Sequence, residues 1–316
     1  MTTASGSLVR PPRGGSTAPS PAAGLSRRRR VVGILVVVGL LLVAWELLKW
    51  LAGDPWRIHA TIAGIGINYE HVPPFTIRIA TDLALPHVWS IAGSFLEPAQ
   101  RNGPPMASVL LGAAVFTFQE ALIGFVFGAL MGLGLAILFV HSGLLERALV
   151  PYVVASQTVP IIALAPIIVI FLRADWLSVA VISAYLTFFP VTVGALRGMR
   201  SADPRAFELM RSYAASKTQI LWRLRLPASV PYLFVALRIG ATASIIGAII
   251  GELPSGIPGG LGGAILNFNQ YYVTDPEKLW ATIIATCFLG LFFVGLIWAA
   301  EQLVTRGRYR PIGARP

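Results

Sequence analysis

Six long runs of apolar residues divide the chain, and segments rich in charge, proline or glycine separate them. A helix needs about 20 apolar residues to cross a hydrocarbon core of about 30 Å, so runs of this length predict membrane-spanning helices. We expect spans near residues 31–51, 108–140, 150–172, 176–196, 232–252 and 280–304. The second run is longer than one crossing needs, so its first turns are expected to project outside the membrane. The pattern therefore predicts an all-α membrane protein with about six transmembrane helices.

The composition agrees with lipid as the main solvent. Of the 316 residues, 55% are hydrophobic and only 12% are charged, and the mean hydropathy is +0.71. A soluble protein of this length would carry more charge on its surface. The single Cys287 excludes a disulfide framework within the chain, and the four histidines lack the paired spacing of metal ligands. We therefore expect no metal site and no cofactor.

The positive charges indicate how the helices cross the membrane. The net charge is +11, and most of the 25 lysines and arginines precede the first span, follow the fourth span or follow the sixth. Loops rich in lysine and arginine stay in the cytoplasm, so both termini are expected inside. The basic charge is then a feature of topology in a bacterial cytoplasmic membrane, and a nucleic-acid partner is not expected.

These boundaries divide the chain into four segments. Residues 1–30 form a tail rich in serine, proline, glycine and arginine, which we expect to be disordered and cytoplasmic. Residues 31–107 contain the first transmembrane helix and an extracytoplasmic segment. Residues 108–304 form the helical core, and residues 305–316 form a second cytoplasmic tail.

The longest cytoplasmic loop, residues 197–229, has the pattern of two short amphipathic helices. The first is predicted over residues 204–213, because Asp203 is a good N-cap and a proline follows it. The second is predicted over residues 216–224, and Pro227 is expected to end it. Two such helices form a protrusion that either docks in a groove of a partner or remains a solvated loop.

The spacing in this loop resembles the EAA loop of the permease subunits of ATP-binding-cassette (ABC) importers. That pattern is Glu-Ala-Ala, three residues, Gly, nine residues, and Ile-x-Leu-Pro. In this chain the matching positions are held by Glu208, Ala214, Leu224, Leu226 and Pro227. Leu209 and Met210 replace the two alanines. Ala214 replaces the glycine, and because alanine disfavours a left-handed turn, it predicts a more helical link between the two loop helices.

Three other segments resemble one branch of these permeases, whose members carry nitrate, sulfonates, taurine, pyrimidine-type thiamine precursors or riboflavin. The segments are VPPFT at residues 72–76, QTVPIIALAP at residues 157–166, and GE at residues 251–252 followed by GLG at residues 260–262. The second segment, together with Glu120, favours the pyrimidine and riboflavin relatives. A nitrate, sulfonate or taurine permease of the same branch remains the alternative.

The resemblance implies the permease fold of a type I ABC importer. Two permease subunits, expected to be a homodimer, would form the pathway in the lipid bilayer, and a dimer of cytosolic ABC ATPase subunits would hydrolyse ATP. An extracytoplasmic binding protein would deliver a small polar or heterocyclic solute. The residues implied in coupling to the ATPase are Glu208, Arg211, Ser212, Tyr213, Ala214, Ala215, Ser216, Leu224, Leu226 and Pro227.

Five residues are candidates for the translocation pathway, namely Glu120, Gln157, Thr158, Pro160 and Glu252. A charge in the middle of a membrane helix costs about 2.5–3.5 kcal/mol on insertion scales, and a proline leaves backbone carbonyls unpaired. Such groups are expected to line a cavity or to make hydrogen bonds between helices, and the sequence leaves both possibilities open.

The sequence favours a transport subunit over an enzyme or a self-powered transporter. The run Ser216-Lys217-Thr218 matches the end of a phosphate-binding loop, but the glycines that such a loop needs are absent. We therefore expect no catalytic residues and assign ATP hydrolysis to a partner. A stand-alone secondary transporter is the other reading. It predicts inverted repeats with interrupted helices, and none is evident.

Overall fold

A computed structural model describes residues 27–62, 65–173 and 175–305, so most of the two predicted cytoplasmic tails lies outside the described residues. The chain divides into two units, Met1–Ala80 and Thr81–Pro316. In the first unit, helix α1 (Arg27–Ala52) is followed by the antiparallel strands β1 (Trp56–Ile62) and β2 (Ile65–His71). This hairpin, which pairs Trp56 with His71 at its open end, was not predicted from the sequence.

The second unit is built from helices. In chain order they are α2 (Val88–Ser94), α3 (Met106–His141), α4 (Gly143–Ser156), α5 (Ile161–Phe171), α6 (Trp176–Arg200), α7 (Pro204–Ser212), α8 (Lys217–Ile220), α9 (Leu226–Ser255), α10 (Leu261–Gln270) and α11 (Pro276–Thr305). Across the described part of both units, five helices are long and apolar enough to cross a membrane, or six if α4 and α5 form one bent span. The expected count of about six is confirmed.

The third predicted span, residues 150–172, is divided between two helices. Helices α4 and α5 meet at an angle of 96°. The break falls at residues 157–160 and ends on Pro160, whose backbone is extended. Proline has no N–H to donate, and it disfavours helical geometry at the residue before it, so the helix stops and restarts in a new direction.

Helix α6 lies between α3 and α9, and small residues form both contacts. Gly124, Gly128 and Gly132 lie on the face of α3 that packs against the backbone of α6. A Cβ added at Gly128 would lie 2.6 Å from the carbonyl oxygen of Ala184. The four-residue spacing of these glycines therefore serves close helix packing.

On the other side of α6, polar side chains join it to α9. The Ser183 hydroxyl donates a hydrogen bond to the Ser244 carbonyl (3.1 Å), and the Ser244 hydroxyl donates to the Ala121 carbonyl of α3 (2.5 Å). All of these side chains are buried. A central group of three helices, α3, α6 and α9, is thus held by glycine contacts and by hydrogen bonds between helices.

Helix α11 packs against the outside of this group. Its Phe293 ring contacts the rings of Phe118 and Phe125 on α3 edge to face, at centroid distances of 5.2 and 5.0 Å. Arg238 of α9 forms an ion pair with Glu301 of α11 at 3.2 Å. An arginine inside an apolar span thereby has a counter-charge on the neighbouring helix.

Candidate functional site

The first helix of the cytoplasmic loop forms as the sequence predicts. Helix α7 covers Pro204–Ser212, and the Asp203 side chain caps it by accepting a hydrogen bond from the Arg205 N–H at 2.9 Å. Proline at the start of a helix loses nothing, because its missing N–H would have had no partner there. The predicted length of this helix is confirmed to within one residue.

The link after α7 differs from the prediction, because Ala214 does not continue the helix. Its φ is 52°, in the left-handed region. The N–H of Ala214 donates to the Arg211 carbonyl (2.9 Å), and the N–H of Ala215 donates to the Met210 carbonyl (3.0 Å). These two bonds are those of a Schellman motif, whose left-handed position usually holds glycine. The expectation of a more helical link is therefore wrong: the turn keeps its glycine geometry with alanine in place.

The second loop helix is shorter than predicted, and Pro227 does not end it. Helix α8 covers only Lys217–Ile220, and Ser216 and Gln219 form a capping box at its start. A π-helical turn over Leu221–Arg225 then leads directly into α9. Pro227 lies in the first turn of α9, where the missing N–H of proline is tolerated, so the chain remains helical.

Two anchors fix this loop to the transmembrane helices. Leu221 is buried in an apolar cluster with Ala136 of α3 and Met199 of α6. The Arg225 guanidinium donates a hydrogen bond to the Val140 carbonyl in the last turn of α3, at 3.2 Å. The loop is therefore not a loose connection, and a force on it would reach α3 and α6.

Basic side chains surround an aromatic ring beside these anchors. The guanidinium carbons of Arg211 and Arg225 lie 4.8 and 5.1 Å from the centroid of the Phe207 ring. Cavities of about 350 and 410 Å³ adjoin these three residues, and Lys217 and Arg200 also contribute to their walls. Sequence reasoning identified Arg211 but missed Phe207 and Arg225, because neither belongs to the loop pattern used for the resemblance.

Most of the predicted coupling residues lie on the surface of the loop. Tyr213 is 80% exposed. Exposure is also high for Glu208, Arg211, Ser212, Ala214, Ser216 and Pro227, whereas Ala215, Leu224 and Leu226 are half-buried. Residues 208–216 therefore form a short, mostly exposed strip. The half-buried Leu224 and Leu226 lie in the anchored helical segment that follows it.

Two of the candidate pathway residues come together far from this loop. Glu120 of α3 and Glu252 near the end of α9 are 3% and 0% exposed, and their carboxyl groups are close enough for their charges to interact. The backbone N–H of Gly262, in the first turn of α10, donates to Oε2 of Glu252 at 2.5 Å.

The other candidate pathway residues lie at the break between α4 and α5. Gln157, Thr158 and Pro160 are exposed. The Tyr185 hydroxyl of α6 donates to the carbonyl of Ser156, the last residue of α4, and so supports the break. The structure does not bring these three residues into contact with Glu120 or Glu252.

The structure is thus a bundle of apolar helices with one broken span and a cytoplasmic loop anchored to α3 and α6. The family described as "Binding-protein-dependent transport system inner membrane component" matches residues 104–309, about two thirds of the chain. The chain belongs to this family. It is the permease subunit of an ABC importer in the inner membrane, is not itself an enzyme, and works with an ATPase and a binding protein.

Several curated proteins are similar to this chain. A probable ABC transporter permease protein of Haemophilus influenzae is 31% identical over 87% of this chain and 98% of its own length. The riboflavin transport system permease protein RibX of Chloroflexus aurantiacus is 26% identical over 87% of this chain and 90% of its own length. The formylaminopyrimidine transport permease protein ThiX of Halalkalibacterium halodurans is 37% identical, over 40% of this chain and half of its own length.

The fold is also found among solved structures. A chain of the MetNI methionine ABC transporter aligns with 66% of this chain and 100% of its own length, with a TM-score of 0.51 and 18% identity. At this level of identity the match supports the fold alone. The expected permease fold is thereby confirmed.

Proposed function

We propose that this permease carries a pyrimidine-type thiamine precursor or a riboflavin-type solute, as one of two identical permease subunits. Residues 208–216 with Leu224, Leu226 and Pro227 are its contact with the ATPase. Glu120, Gln157, Thr158, Pro160 and Glu252 belong to the pathway or to the helix contacts that control it. The coupling role is inferred from the exposure of residues 208–216 and from the two anchors that hold the loop to α3 and α6.

The geometry of the strip suits transmission of force. The exposed side chains of Glu208 and Tyr213 are available to a partner, whereas Leu221 is buried against α3 and α6 and Arg225 is bonded to α3. A docked ATPase that moves during its cycle would therefore move α3 with the loop. This arrangement supports rocking of the bundle between inward- and outward-facing states.

Charge reversal at Glu208 tests the coupling assignment. We expect Glu208→Lys to abolish co-purification of the ATPase and substrate-stimulated ATP hydrolysis, while membrane insertion stays normal. Ala215→Asp tests the same strip. Glu97→Lys is the matched control, because Glu97 is an exposed acid on the opposite side and its reversal should leave the ATPase bound. Normal ATPase binding by Glu208→Lys would contradict the assignment.

The break between α4 and α5 supports a second permease copy beside it. Gln157 and Thr158 are exposed at non-helical backbone, which is tolerated at membrane depth only against protein or a water-filled cavity. Beyond the break, Ile162 and Ile170 are 72% and 79% exposed. Lipid would suit these two side chains but not the polar residues of the break, so the α4–α5 region is the proposed interface.

Cysteine cross-linking tests the homodimer. In a Cys287→Ser background, Ile170→Cys should give a cross-linked dimer in membranes, because α5 would face its copy. Leu291→Cys on α11, where Leu291 is 69% exposed, is the control expected to face lipid and to stay uncross-linked. Cross-links at Leu291 and none at Ile170 would place the interface on α11 and overturn this part of the proposal.

The solute class is proposed from the relatives and from the QTVPIIALAP segment. ThiX and RibX are named for formylaminopyrimidine and riboflavin transport, and both are similar to this chain. The test is a thermal-shift series on the cognate binding protein with pyrimidines, flavins, sulfonates and nitrate. A rise in melting temperature with pyrimidines or flavins alone supports the proposal. A rise with sulfonates or nitrate alone refutes it in favour of the alternative branch members.

A further inference from the structure

Two acidic side chains meet inside the second unit at the level where α10 begins. Glu120 comes from α3 and Glu252 from α9, and both are buried. The positive charges of the loops place the end of α9 and the start of α3 on the extracytoplasmic side. These carboxyl groups therefore lie in the outer half of the bundle, 132 residues apart in sequence but close in space.

Glu252 occupies a site built for a negatively charged carboxylate. Its Oε2 accepts a hydrogen bond from the N–H of Gly262 in the first turn of α10. The neighbouring N–H of α10, that of Leu261, donates to the Thr117 hydroxyl of α3 at 2.8 Å. The start of a helix carries partial positive charge and free N–H groups, both of which favour an anion.

Glycines allow this close approach between α10 and Glu252. A Cβ added at Gly262 would lie 2.7 Å from the Cβ of Glu252, and one added at Gly260 would collide with the carboxyl carbon. The GLG segment at residues 260–262 is therefore shaped around the Glu252 side chain.

Glu120 has a different environment. Among the described residues, no donor reaches either of its carboxyl oxygens. The charged groups acting on it are Glu252 and the Asp175 carboxylate at the start of α6, both of the same sign. Helix α10 has no titratable residue, and Lys278 at the start of α11 is paired with Asp275 at 3.2 Å. An ionised Glu120 would thus be a buried charge facing other negative charges.

One proton on Glu120 would remove its negative charge and so the repulsion from the Glu252 carboxylate. If Glu120 is protonated, its O–H becomes a donor, and the oxygens of Glu252 beside it are acceptors. The neutral acid is Glu120 rather than Glu252, because Glu252 already receives the N–H of Gly262, which favours its charged form. Hydrogen bonds between a neutral donor and a charged acceptor are stronger than neutral pairs.

We propose that Glu120 is a protonated carboxylic acid that donates to the Glu252 carboxylate, and that this bond locks α3 to α9 and α10 at the outer end of the bundle. Release of the proton to extracytoplasmic water leaves two facing carboxylates, whose repulsion separates the helices. Opening of the outer end is therefore coupled to loss of one proton from Glu120. This inference depends neither on the solute nor on the 197–229 loop.

Infrared spectroscopy of the full chain in lipid nanodiscs tests the protonation directly. At neutral pH we expect a protonated-carboxyl stretching band that is lost in Glu120→Gln. Glu97→Gln is the matched control, because Glu97 is exposed, and it should leave the band in place. Absence of the band in the unaltered chain, or a band untouched by Glu120→Gln, would overturn the proposal in favour of two ionised carboxylates bridged by water or a cation.

The pH dependence of stability gives a second, independent readout. The folded chain holds a proton that the unfolded chain releases, so the unfolding temperature should fall as the pH rises towards release of that proton. Glu120→Gln keeps a donor and should show a flatter profile, whereas Glu120→Leu has no donor and should unfold at lower temperature below neutral pH. Equal loss of stability in the Gln and Leu variants, with an unchanged pH profile, would contradict the lock.

Discussion

The left-handed alanine in the coupling loop should make the loop less stable than its glycine form. Ala214 holds the position of a Schellman motif at which glycine is usual, with φ of 52°. We expect Ala214→Gly to stabilise this turn without changing its hydrogen bonds to Arg211 and Met210. The same substitution eight residues earlier, Ala206→Gly within α7, should have the opposite effect.

The magnitude follows from backbone conformation. A left-handed conformation costs an L-residue about 1–2 kcal/mol, and glycine avoids this cost. Glycine also gives the unfolded segment more freedom, which offsets about 0.4–1 kcal/mol of the gain. The net stabilisation expected at Ala214 is therefore about 0.5–1 kcal/mol. At Ala206, which lies inside a helix, glycine should destabilise by about 0.8–1 kcal/mol.

Amide hydrogen exchange of the assembled transporter can measure both effects. The reporters are the N–H groups of Ala215 and of the residue at 214, which close the turn. After correction for intrinsic rates, Ala214→Gly should slow their exchange by about two- to fivefold, since about 1.4 kcal/mol corresponds to tenfold. Ala206→Gly should speed exchange within α7.

The outcome that would refute this reasoning is faster exchange at the turn in Ala214→Gly, similar in size to that in Ala206→Gly. Such a result would mean that residue 214 is helical in the working transporter. The left-handed turn would then belong only to the isolated chain, and the original expectation of a helical link would be correct for the complex.

Three further outcomes test other parts of the fold. Gly128→Ala should lower the unfolding temperature by an amount equivalent to about 1–3 kcal/mol, because its Cβ meets the α6 backbone, while Gly134→Ala, with open space around it, should not lower it in the same assay. Glu301→Arg should destabilise by leaving Arg238 beside a like charge, and adding Arg238→Glu should restore the unfolding temperature; no recovery in the double variant would count against the ion pair. Ser216→Ala should cost about 0.5–2 kcal/mol of loop stability through loss of the capping box, read as faster amide exchange in α8.

Hydropathy and charge were sufficient for the spans but not for the change of direction within the third run. The apolar runs identified every long helix, since membrane spans are read from composition over about 20 residues. Two prolines with the same chemistry have opposite effects on the helix. The chain is not helical at Pro160, but it remains helical through Pro227. What differs is position: Pro227 lies in the first turn of a helix, and Pro160 follows residues that would have to continue one.

The sequence alone did not predict which residues far apart in the chain lie close together in the fold. Glu120 and Glu252 were both singled out as polar groups in apolar runs, but their pairing depends on how α3 and α9 pack. The bond from Arg225 to Val140 is a second example, because it joins residues 85 positions apart. Local turn chemistry was also misjudged at Ala214, where surrounding contacts override the preference of alanine.

The glycine contacts between α3 and α6 have a consequence for the way this subunit can change shape. At Gly124, Gly128 and Gly132 the two backbones touch with almost no side chain between them. An interface of this kind has no rotamers to rearrange, so it cannot shear gradually. We expect α3 and α6 to travel as one stiff body throughout the transport cycle. The bending needed for alternating access must then be concentrated elsewhere, and the corner between α4 and α5 is the joint best placed to supply it.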